Sequence, residues 1–366
     1  MAKIEILFKK MIESNASDLH LSIDSKPKIR KHGELEELDY EVLTEEVLKE
    51  MLFEIISDDQ QRKFLEENDL DFGYETSLGR FRSNYFRQKR GVSAVFRHIP
   101  SEILSIEQLK LPDQVYRFTE LNQGLVLVTG PTGSGKSTTL ASLIDYINKN
   151  RKYHILTIED PVEFVHDNKA SLISQREVGT HVKSFSVALR AALREDPDVI
   201  LVGEMRDLET IELAITAAET GHLVFGTLHT SSASKTIDRV IDAFPSGQQA
   251  QIRTMLSESL KGVLTQQLLR KADGSGRIVA LEILFVNMAI SNLIREGKTH
   301  QVPSVIQMGK SEGMQLLDQT IMDYLMQKII SREEAYKKSH DKKTFAKFLE
   351  ERSYTESYIG KTIKGT

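Results

Sequence analysis

The residues with the clearest chemical meaning form a glycine-rich run that ends in lysine and serine. Gly130-Pro-Thr-Gly-Ser-Gly-Lys-Ser137 matches G-x-x-x-x-G-K-[ST] and lies between the apolar run LVLVT and an amphipathic stretch. Such glycines let backbone N–H groups curl round phosphates, beside the positive dipole end of the next helix. These flanks disfavour a ligand-free turn, so the run predicts Mg-ATP binding and hydrolysis. The predicted nucleotide-binding residues are Gly130, Pro131, Thr132, Gly133, Ser134, Gly135, Lys136, Ser137 and Thr138.

Within this loop, two side chains have distinct predicted roles. Lys136 is expected to reach the β- and γ-phosphates, and the Ser137 hydroxyl is expected to bind Mg²⁺. Acidic residues follow the next two predicted strands: Glu159, Asp160 and Glu163 after the first, and Glu204 after the second. Ligands of open parallel sheets bind at the carboxyl ends of strands, so we expect these acids to face the phosphate loop. Glu204 fits the acid that acts on the metal's water shell or polarises the attacking water.

Two histidines flank a further predicted strand, in Gly221-His222-Leu-Val-Phe-Gly-Thr-Leu-His229-Thr230. His222 and His229 could sense the γ-phosphate or relay between subunits. Equally, they could be hydrogen-bonded residues that fix loops, and the residues alone leave both interpretations open. A zinc site is not indicated, because no His/Cys set with ligand spacing accompanies them.

Arginines are the remaining candidates, because an arginine supplied in trans often neutralises phosphoryl-transfer charge and raises rates by ~10³–10⁵. Arg190 and Arg194 are spaced i, i+4 in a predicted helix, where a solvated face is the alternative. Arg82 and Arg97 lie on a predicted hairpin near the N-terminus. Nothing in the local sequence decides among the four.

Composition limits the function classes. The 366 residues are 40% hydrophobic and 28% charged, with a net charge of −5 and a pI near 6.1, so no basic field points to nucleic acid. The absence of cysteine excludes disulfides and thiolate metal sites. The N-terminal residues predict an amphipathic helix rather than a signal peptide. The longest apolar stretch, Ile278–Val286, is far below a membrane span of ~20 residues. We expect a soluble, cytoplasmic protein whose membrane association comes through a partner.

The first 100 residues predict a small α+β unit. A helix is expected over Thr44–Leu65, with Thr44 as its N-cap, and a hairpin over Gly79–Phe86 and Val92–Ile99. Residues 101–112 are the predicted linker.

From residue 113 the pattern changes to short apolar runs separated by helical stretches, which predicts a parallel sheet covered on both faces. The predicted strands are Leu125–Thr129, His154–Ile158, Val199–Gly203 and Leu223–Thr227. Helices are expected over Lys136–Asn148, Leu208–Thr220 and Gln248–Arg270, then a strand over Arg277–Val286 and further helices to about 350. This second domain is predicted to span 113–352, and residues 353–366 are expected to be a mobile tail.

Together these segments resemble the type II/IV secretion-system ATPases, and within them the type IV pilus retraction ATPases, over nearly the whole chain. The matching motifs are Ile158-Glu-Asp-Pro-Val-Glu163 (the Asp box), Asp198–Glu204 with Met-Arg-Asp (Walker B), Thr220–His229 (the His box), Ser17-Asp-Leu-His-Leu, Gly79-Arg-Phe-Arg-Ser-Asn and Gly313-Met-Gln.

The resemblance implies a RecA-like P-loop α/β core with an N-terminal PAS-like α+β domain and a helical C-terminal region, assembled as a homohexamer. It implies that Arg82 and Arg97 reach the nucleotide, with Arg190 and Arg194 as secondary candidates. It makes Glu204 the catalytic glutamate, Glu163 an acid near the metal, and His222 and His229 members of the His box. Mg²⁺ would then be held by Ser137, Glu163 and Glu204, directly or through water.

The implied function is an ATPase motor that powers pilus retraction and twitching motility through an inner-membrane platform protein. The assembly ATPases usually carry an additional N-terminal domain and a tetracysteine zinc motif, whereas this chain has no cysteine. Ala289-Ile-Ser-Asn-Leu-Ile-Arg-Glu296 is close to a retraction motif, from which Ser291 departs. The alternatives are an assembly or accessory retraction ATPase, and a structural ring subunit that switches with nucleotide without hydrolysing it. A DNA translocase is disfavoured by the acidic balance and the lack of a basic, aromatic-rich strand-binding surface.

Overall fold

The computed structural model describes residues 2–31, 34–99 and 102–349. Contacts divide the chain into two compact units, one formed by residues 1–103 with 161–165 and the other by 104–160 with 166–366. The predicted tail, 353–366, lies outside the described residues. No helix among the described residues is both long and apolar enough to cross a membrane.

The first unit packs helices against a sheet of six described strands, in the order β3-β2-β1-β6-β5-β4. Its elements are α1 (Glu5–Glu13), β1 (Asp18–Ser22), β2 (Lys28–Lys31), β3 (Glu34–Glu37), α2 (Glu45–Phe53), α3 (Asp58–Glu67), β4 (Asp69–Thr76), β5 (Gly79–Gln88) and β6 (Gly91–Ile99). The predicted N-terminal helix and hairpin are both present. Phe8 of α1 stacks on Phe81 with ring centroids 4.0 Å apart and meets the edge of Phe96 at 5.0 Å. Every second residue of β5 from Phe81 to Tyr85 is buried, which leaves Arg82 on the opposite face of the sheet.

The single helix predicted over Thr44–Leu65 is wrong, because the structure has two helices there. Thr44 caps α2 as expected, but α2 ends at Phe53. Ser57 then starts α3 with a capping box, in which its hydroxyl accepts from the N–H of Gln60 and the Gln60 side chain accepts from the N–H of Ser57. This second cap satisfies N–H groups that a continuous helix would bond internally, so it favours the break.

The second unit is built on a sheet of seven described strands, in the order β13-β12-β7-β11-β10-β8-β9. Its elements are β7 (Gly124–Thr129), α4 (Lys136–Asn150), β8 (His154–Glu159), β9 (Leu172–Glu177), α5 (Phe185–Ala192), β10 (Val199–Val202), α6 (Leu208–Glu219), β11 (Leu223–Leu228), α7 (Ala233–Asp242), α8 (Ser246–Ser259), β12 (Leu260–Arg270), β13 (Arg277–Phe285), α9 (Met288–Arg295), α10 (Val302–Met308), α11 (Leu317–Met326) and α12 (Arg332–Lys338). The four predicted parallel strands are present, and β7, β10 and β11 are buried at every position. Their carboxyl ends define one edge of the sheet, where the phosphate loop begins.

The helix predicted over Gln248–Arg270 is wrong in its second half. α8 ends at Ser259, and the chain continues as β12, parallel to β7 and antiparallel to β13. Leucine, lysine and glutamine favour helix locally, but tertiary packing overrides that preference. Gly262 makes the close packing possible, because a Cβ there would lie 2.2 Å from the ring of Phe118 and 2.8 Å from the carbonyl of Leu284.

Two smaller differences concern the edges of this unit. The strand β9, a mostly polar run paired with β8, was not predicted. The helix α5 ends at Ala192, so Arg190 lies in its last turn and Arg194 lies beyond it. The two arginines therefore do not share one regular helix face.

Candidate functional site

The phosphate loop connects the end of β7 to the start of α4. Gly130 and Gly135 have φ angles of 142° and 90°, which glycine adopts without strain. At Gly130 a side chain is also excluded by space, because a Cβ would lie 2.3 Å from the main-chain oxygen of Gln266. The loop can therefore present its N–H groups to phosphate oxygens in the way that its sequence predicts.

Lys136 lies over this loop, and its Nζ donates to the carbonyls of Gly130 and Pro131 at 3.0 and 3.3 Å. The hydroxyl of Ser134 is buried in the loop and has no hydrogen-bonding partner among the described residues. Ser137 and Thr138 are half-buried in the first turn of α4. An exposed glycine backbone, a lysine and an unsatisfied hydroxyl together fit a polyphosphate ligand.

Gln266 supports the loop from below, a role that was not predicted from the sequence. The side chain is buried, and its Nε2 donates to the carbonyl of Ser134 at 2.7 Å. Since its main-chain oxygen also touches the space that a Cβ at Gly130 would fill, β12 forms the floor of the loop. The polar pair Gln266-Gln267 in an apolar run was the available signal, but the predicted helix concealed it.

Glu204 lies just past β10 and joins two other charged or titratable side chains. Its Oε2 lies 2.5 Å from Nη2 of Arg206, and its Oε1 lies 3.2 Å from Nε2 of His229. The other ring nitrogen of His229, Nδ1, lies 3.5 Å from the hydroxyl of Thr132. His229 thus connects the phosphate loop to Glu204.

The charge state of Glu204 follows from these neighbours. Burial acts to raise the pKa of its carboxyl, but the hydrogen bond and charge of Arg206 lower it, as do the charges of His229 and Lys136. The net pKa of Glu204 is below its ordinary value. The residue is therefore held as the carboxylate that polarising water requires.

The structure does not bring His222 to this group. His222 precedes β11, at the amino edge of the sheet, where its carbonyl accepts from the N–H of Gly124. Its Nδ1 lies 2.9 Å from the carbonyl of Ala217 at the end of α6. Within this unit His222 fixes a loop, whereas His229 faces the phosphate loop.

Glu163 is placed by the segment that carries it. Residues 161–165 belong by their contacts to the first unit, and Nε of Arg80 donates to the carbonyl of Val162 at 3.0 Å. Glu159, in contrast, ends β8 in the second unit and accepts from the hydroxyl of Thr157 at 2.7 Å and from Gln175 at 3.2 Å. Of the two strand-end acids predicted to serve the metal, only Glu204 is thus placed beside the loop within the second unit.

The four candidate arginines all lie on the surface of their units. Arg190 forms an ion pair with Glu209, and Arg194 is exposed. Arg82 is paired with Asp71 of β4, while Nε of Arg97 donates to Asp18 of β1 at 2.8 Å. Asp18 and Asp71 were not among the predicted site residues.

Comparison with known proteins identifies the family. The sequence profile described as "Type II/IV secretion system protein" matches residues 2–361. The chain belongs to this family. It is 53% identical over 328 residues to the Type IV pilus retractation ATPase PilT of Pseudomonas aeruginosa PAO1, covering 89% of this chain and 95% of that protein. It is 51% identical over 321 residues to a twitching motility protein of Neisseria gonorrhoeae, covering 87% and 86% respectively.

A solved structure extends this similarity to three dimensions. The crystal structure of the pilus retraction motor PilT with bound ADP has a TM-score of 0.87 and 49% sequence identity, covering 94% of this chain and 98% of that one. The predicted family, the RecA-like α/β fold class and the ATP-hydrolysing enzyme class are confirmed by these similarities. In this member of the type II/IV secretion family, the Walker A loop, the Walker B glutamate and one histidine of the His box meet at the carboxyl edge of the sheet.

One prediction follows from the pair of Glu204 and Arg206. Arg206→Ala removes the hydrogen bond and the charge that most oppose the effect of burial on Glu204, so we expect the pKa of its carboxyl to rise. If Glu204 acts as the ionised carboxylate, the acidic limb of kcat against pH should move to higher pH. The measurement is steady-state phosphate release across pH, with Arg239→Ala, an exposed arginine of α7, as the control. An acidic limb that stays in place would show that Arg206 does not set the charge of Glu204.

Proposed function

We propose that the chain is an ATP-driven motor for the retraction of type IV pili. The observation that carries the proposal is the joining of the phosphate loop to Glu204 through His229, in a chain that is 53% identical to a pilus retraction ATPase over 89% of its length. The geometry of the site supports ATP hydrolysis, and the similarity over the whole chain supports pilus retraction as the process that the hydrolysis drives.

In this proposal, Lys136 and the loop N–H groups of residues 130–138 hold the triphosphate. Ser137, Glu204 and Glu163 offer oxygen donors of the kind that Mg²⁺ prefers, and they would hold it directly or through water. Bound Mg²⁺ would neutralise charge on the β- and γ-phosphates. Glu204 orients and polarises the attacking water, and His229 reports the state of the γ-phosphate to Thr132 and Glu204.

The remaining parts of the proposal concern assembly. We infer a homohexameric ring in which Arg82 and Arg97 of one subunit reach the nucleotide of the next, with Arg190 and Arg194 as secondary candidates and His222 acting at the same boundary. Residues 1–100 and 113–352 would act as separate domains that move about the linker at 101–112. The ring would act on the cytoplasmic side, bound to an inner-membrane platform protein of the pilus machine, with no role for nucleic acid.

Counting surface pili after deletion of the gene tests this proposal. Loss of a retraction motor leaves excess pili and no twitching, and Lys136→Ala should reproduce the deletion, because it removes the phosphate contact. Lys152→Ala, an exposed lysine of the same unit, should restore wild-type piliation. A deletion strain without pili would indicate an assembly ATPase, and excess pili with twitching retained would indicate an accessory motor. Absence of steady-state phosphate release from the purified ring would indicate the non-hydrolysing structural subunit.

A further inference from the structure

The outer face of the first unit's sheet carries a row of four charged residues on four neighbouring strands. Strand register places Arg30 of β2 opposite Asp18 of β1, Asp18 opposite Arg97 of β6, and Arg97 opposite Arg82 of β5. Directly opposed residues lie on the same face, with Cβ atoms ~4.5–5.5 Å apart. The row therefore sets one carboxylate among three guanidinium groups.

Asp18 is the fixed member of this row. Its side chain is only 5% exposed, and both carboxylate oxygens are bonded. Oδ1 accepts from Nε of Arg97 at 2.8 Å, and Oδ2 accepts from the hydroxyl of Ser17 at 2.7 Å. A buried carboxylate that is bonded at both oxygens has little freedom to move, so it fixes the position of the Arg97 side chain.

The contact with Asp18 leaves the two Nη groups of Arg97 available for another ligand. Nε alone is used, the side chain is 66% exposed, and neither Nη group has a hydrogen-bonding partner among the described residues. Arg82 differs, because Asp71 engages both its Nε at 3.4 Å and its Nη2 at 2.7 Å. Since the guanidinium fork binds phosphate through two N–H groups, Arg97 has the free donors that such a contact requires.

We infer that Asp18 is a positioning residue that presents the Nη groups of Arg97 to a nucleotide phosphate bound by a second copy of this chain. The inference rests on the proposed function, in which Arg97 acts in trans. Asp18 contributes in two ways. It restricts the rotamers of a long side chain before the phosphate arrives, and it offsets repulsion between Arg97 and its like-charged neighbours Arg30 and Arg82.

Asp18→Asn tests the inference by a kinetic split. The amide keeps the shape but loses the charge that holds Nε, so we expect kcat of the assembled ring to fall ~10–100-fold, as misplacement of a catalytic group does. The KM for ATP should change less than about threefold, because Asp18 bonds Ser17 and Arg97 and belongs to a different unit from the phosphate loop. Asp39→Asn, an exposed carboxylate of the same unit, should leave kcat unchanged.

A double-mutant cycle shows whether Asp18 acts through Arg97. If it does, Asp18→Asn in the Arg97→Ala background should cause no further loss of kcat. An equal loss in both backgrounds would overturn the inference. Unaltered turnover in Arg97→Ala would instead overturn the trans-arginine part of the proposed function. A normal Arg97→Ala defect with an active Asp18→Asn ring would overturn the positioning role alone.

Chemical rescue separates positioning from a loss of folding. Added guanidinium ion should restore part of the kcat of Arg97→Ala, since Asp18 remains to hold the ion where the side chain stood. The same addition should not rescue the double variant Asp18→Asn/Arg97→Ala, although both variants keep the wild-type unfolding midpoint and ring size. Equal rescue of both variants would contradict a positioning role for Asp18.

Discussion

Glu204→Gln should bind ATP with nearly the affinity of the wild type and hydrolyse it about 10²–10⁴-fold more slowly, which is the range over which a positioned acid or base contributes to rate. The amide is close in shape to the carboxylate and can still bond His229, which lies 3.2 Å from Oε1. It cannot accept a proton from water or hold a metal's water shell with a full charge. Phosphate release and equilibrium nucleotide binding, measured on the same preparation, separate the two effects.

The matched control for this experiment is Glu212→Gln, an exposed glutamate of the neighbouring helix α6. It should turn over ATP at the wild-type rate. If Glu204→Gln retained most of its activity, the water-activating group would have to lie elsewhere, and Glu159 and Asp160 at the end of β8 would be next to test. Loss of nucleotide binding in Glu204→Gln would mean that the substitution had disturbed the phosphate loop. The disturbance would be expected to reach the loop at Thr132, which contacts His229 beside Glu204.

Arg97→Ala should lower kcat of the assembled ring by ~10³–10⁵-fold, the contribution of an arginine that neutralises transferring phosphoryl charge. ATP affinity of the separate subunit should be unchanged, because in the proposal this arginine serves a neighbour. Arg87→Ala removes an exposed arginine from the neighbouring strand β5, as a comparison for surface charge, and it should keep normal turnover.

Mixing two inactive variants tests the trans arrangement directly. A ring of Arg97→Ala subunits has every Glu204 but lacks Arg97, and a ring of Glu204→Gln subunits has every Arg97 but lacks Glu204. Mixed rings contain boundaries at which an intact Glu204 meets an intact Arg97, so phosphate release should reappear. Recovery should depend on the mixing ratio and reach its maximum near equal amounts. Mixtures that remain inactive, although the subunits co-assemble, would place Arg97 in its own subunit's site.

The central part of the second unit was predicted well from the sequence, because buried parallel strands and the phosphate loop are each recognisable from a run of contiguous residues. The placement of Lys136, Ser137 and Glu204 could be predicted because the carboxyl ends of parallel strands lie at one edge of the sheet. β12 was mispredicted because Leu, Lys and Gln favour helix locally, while its pairing with β7 and β13 is set by distant residues. That error also concealed Gln266 as the floor of the loop.

The limits at the site have a similar cause. The residues alone left the roles of His222 and His229 open, although the two histidines flank a predicted strand. The structure shows that the six residues of β11 separate them onto opposite edges of the sheet. Asp18 and Asp71 were missed because they meet Arg97 and Arg82 through antiparallel register, at separations of 79 and 11 residues. A short motif identifies such a partner only once the pairing of its strands is known.

The phosphate loop and the strand β12 beneath it pack together, although they lie far apart in the sequence. A Cβ on Gly130 would lie 2.3 Å from the main-chain oxygen of Gln266, and Ser134 and Gln266 share a buried hydrogen bond across 132 residues. A chimera that joins two relatives anywhere between these positions combines the loop of one parent with the strand of the other. Where the parents differ at these positions, such hybrids should bind nucleotide poorly unless β12 is transferred together with the loop, so the two segments are best exchanged as one unit.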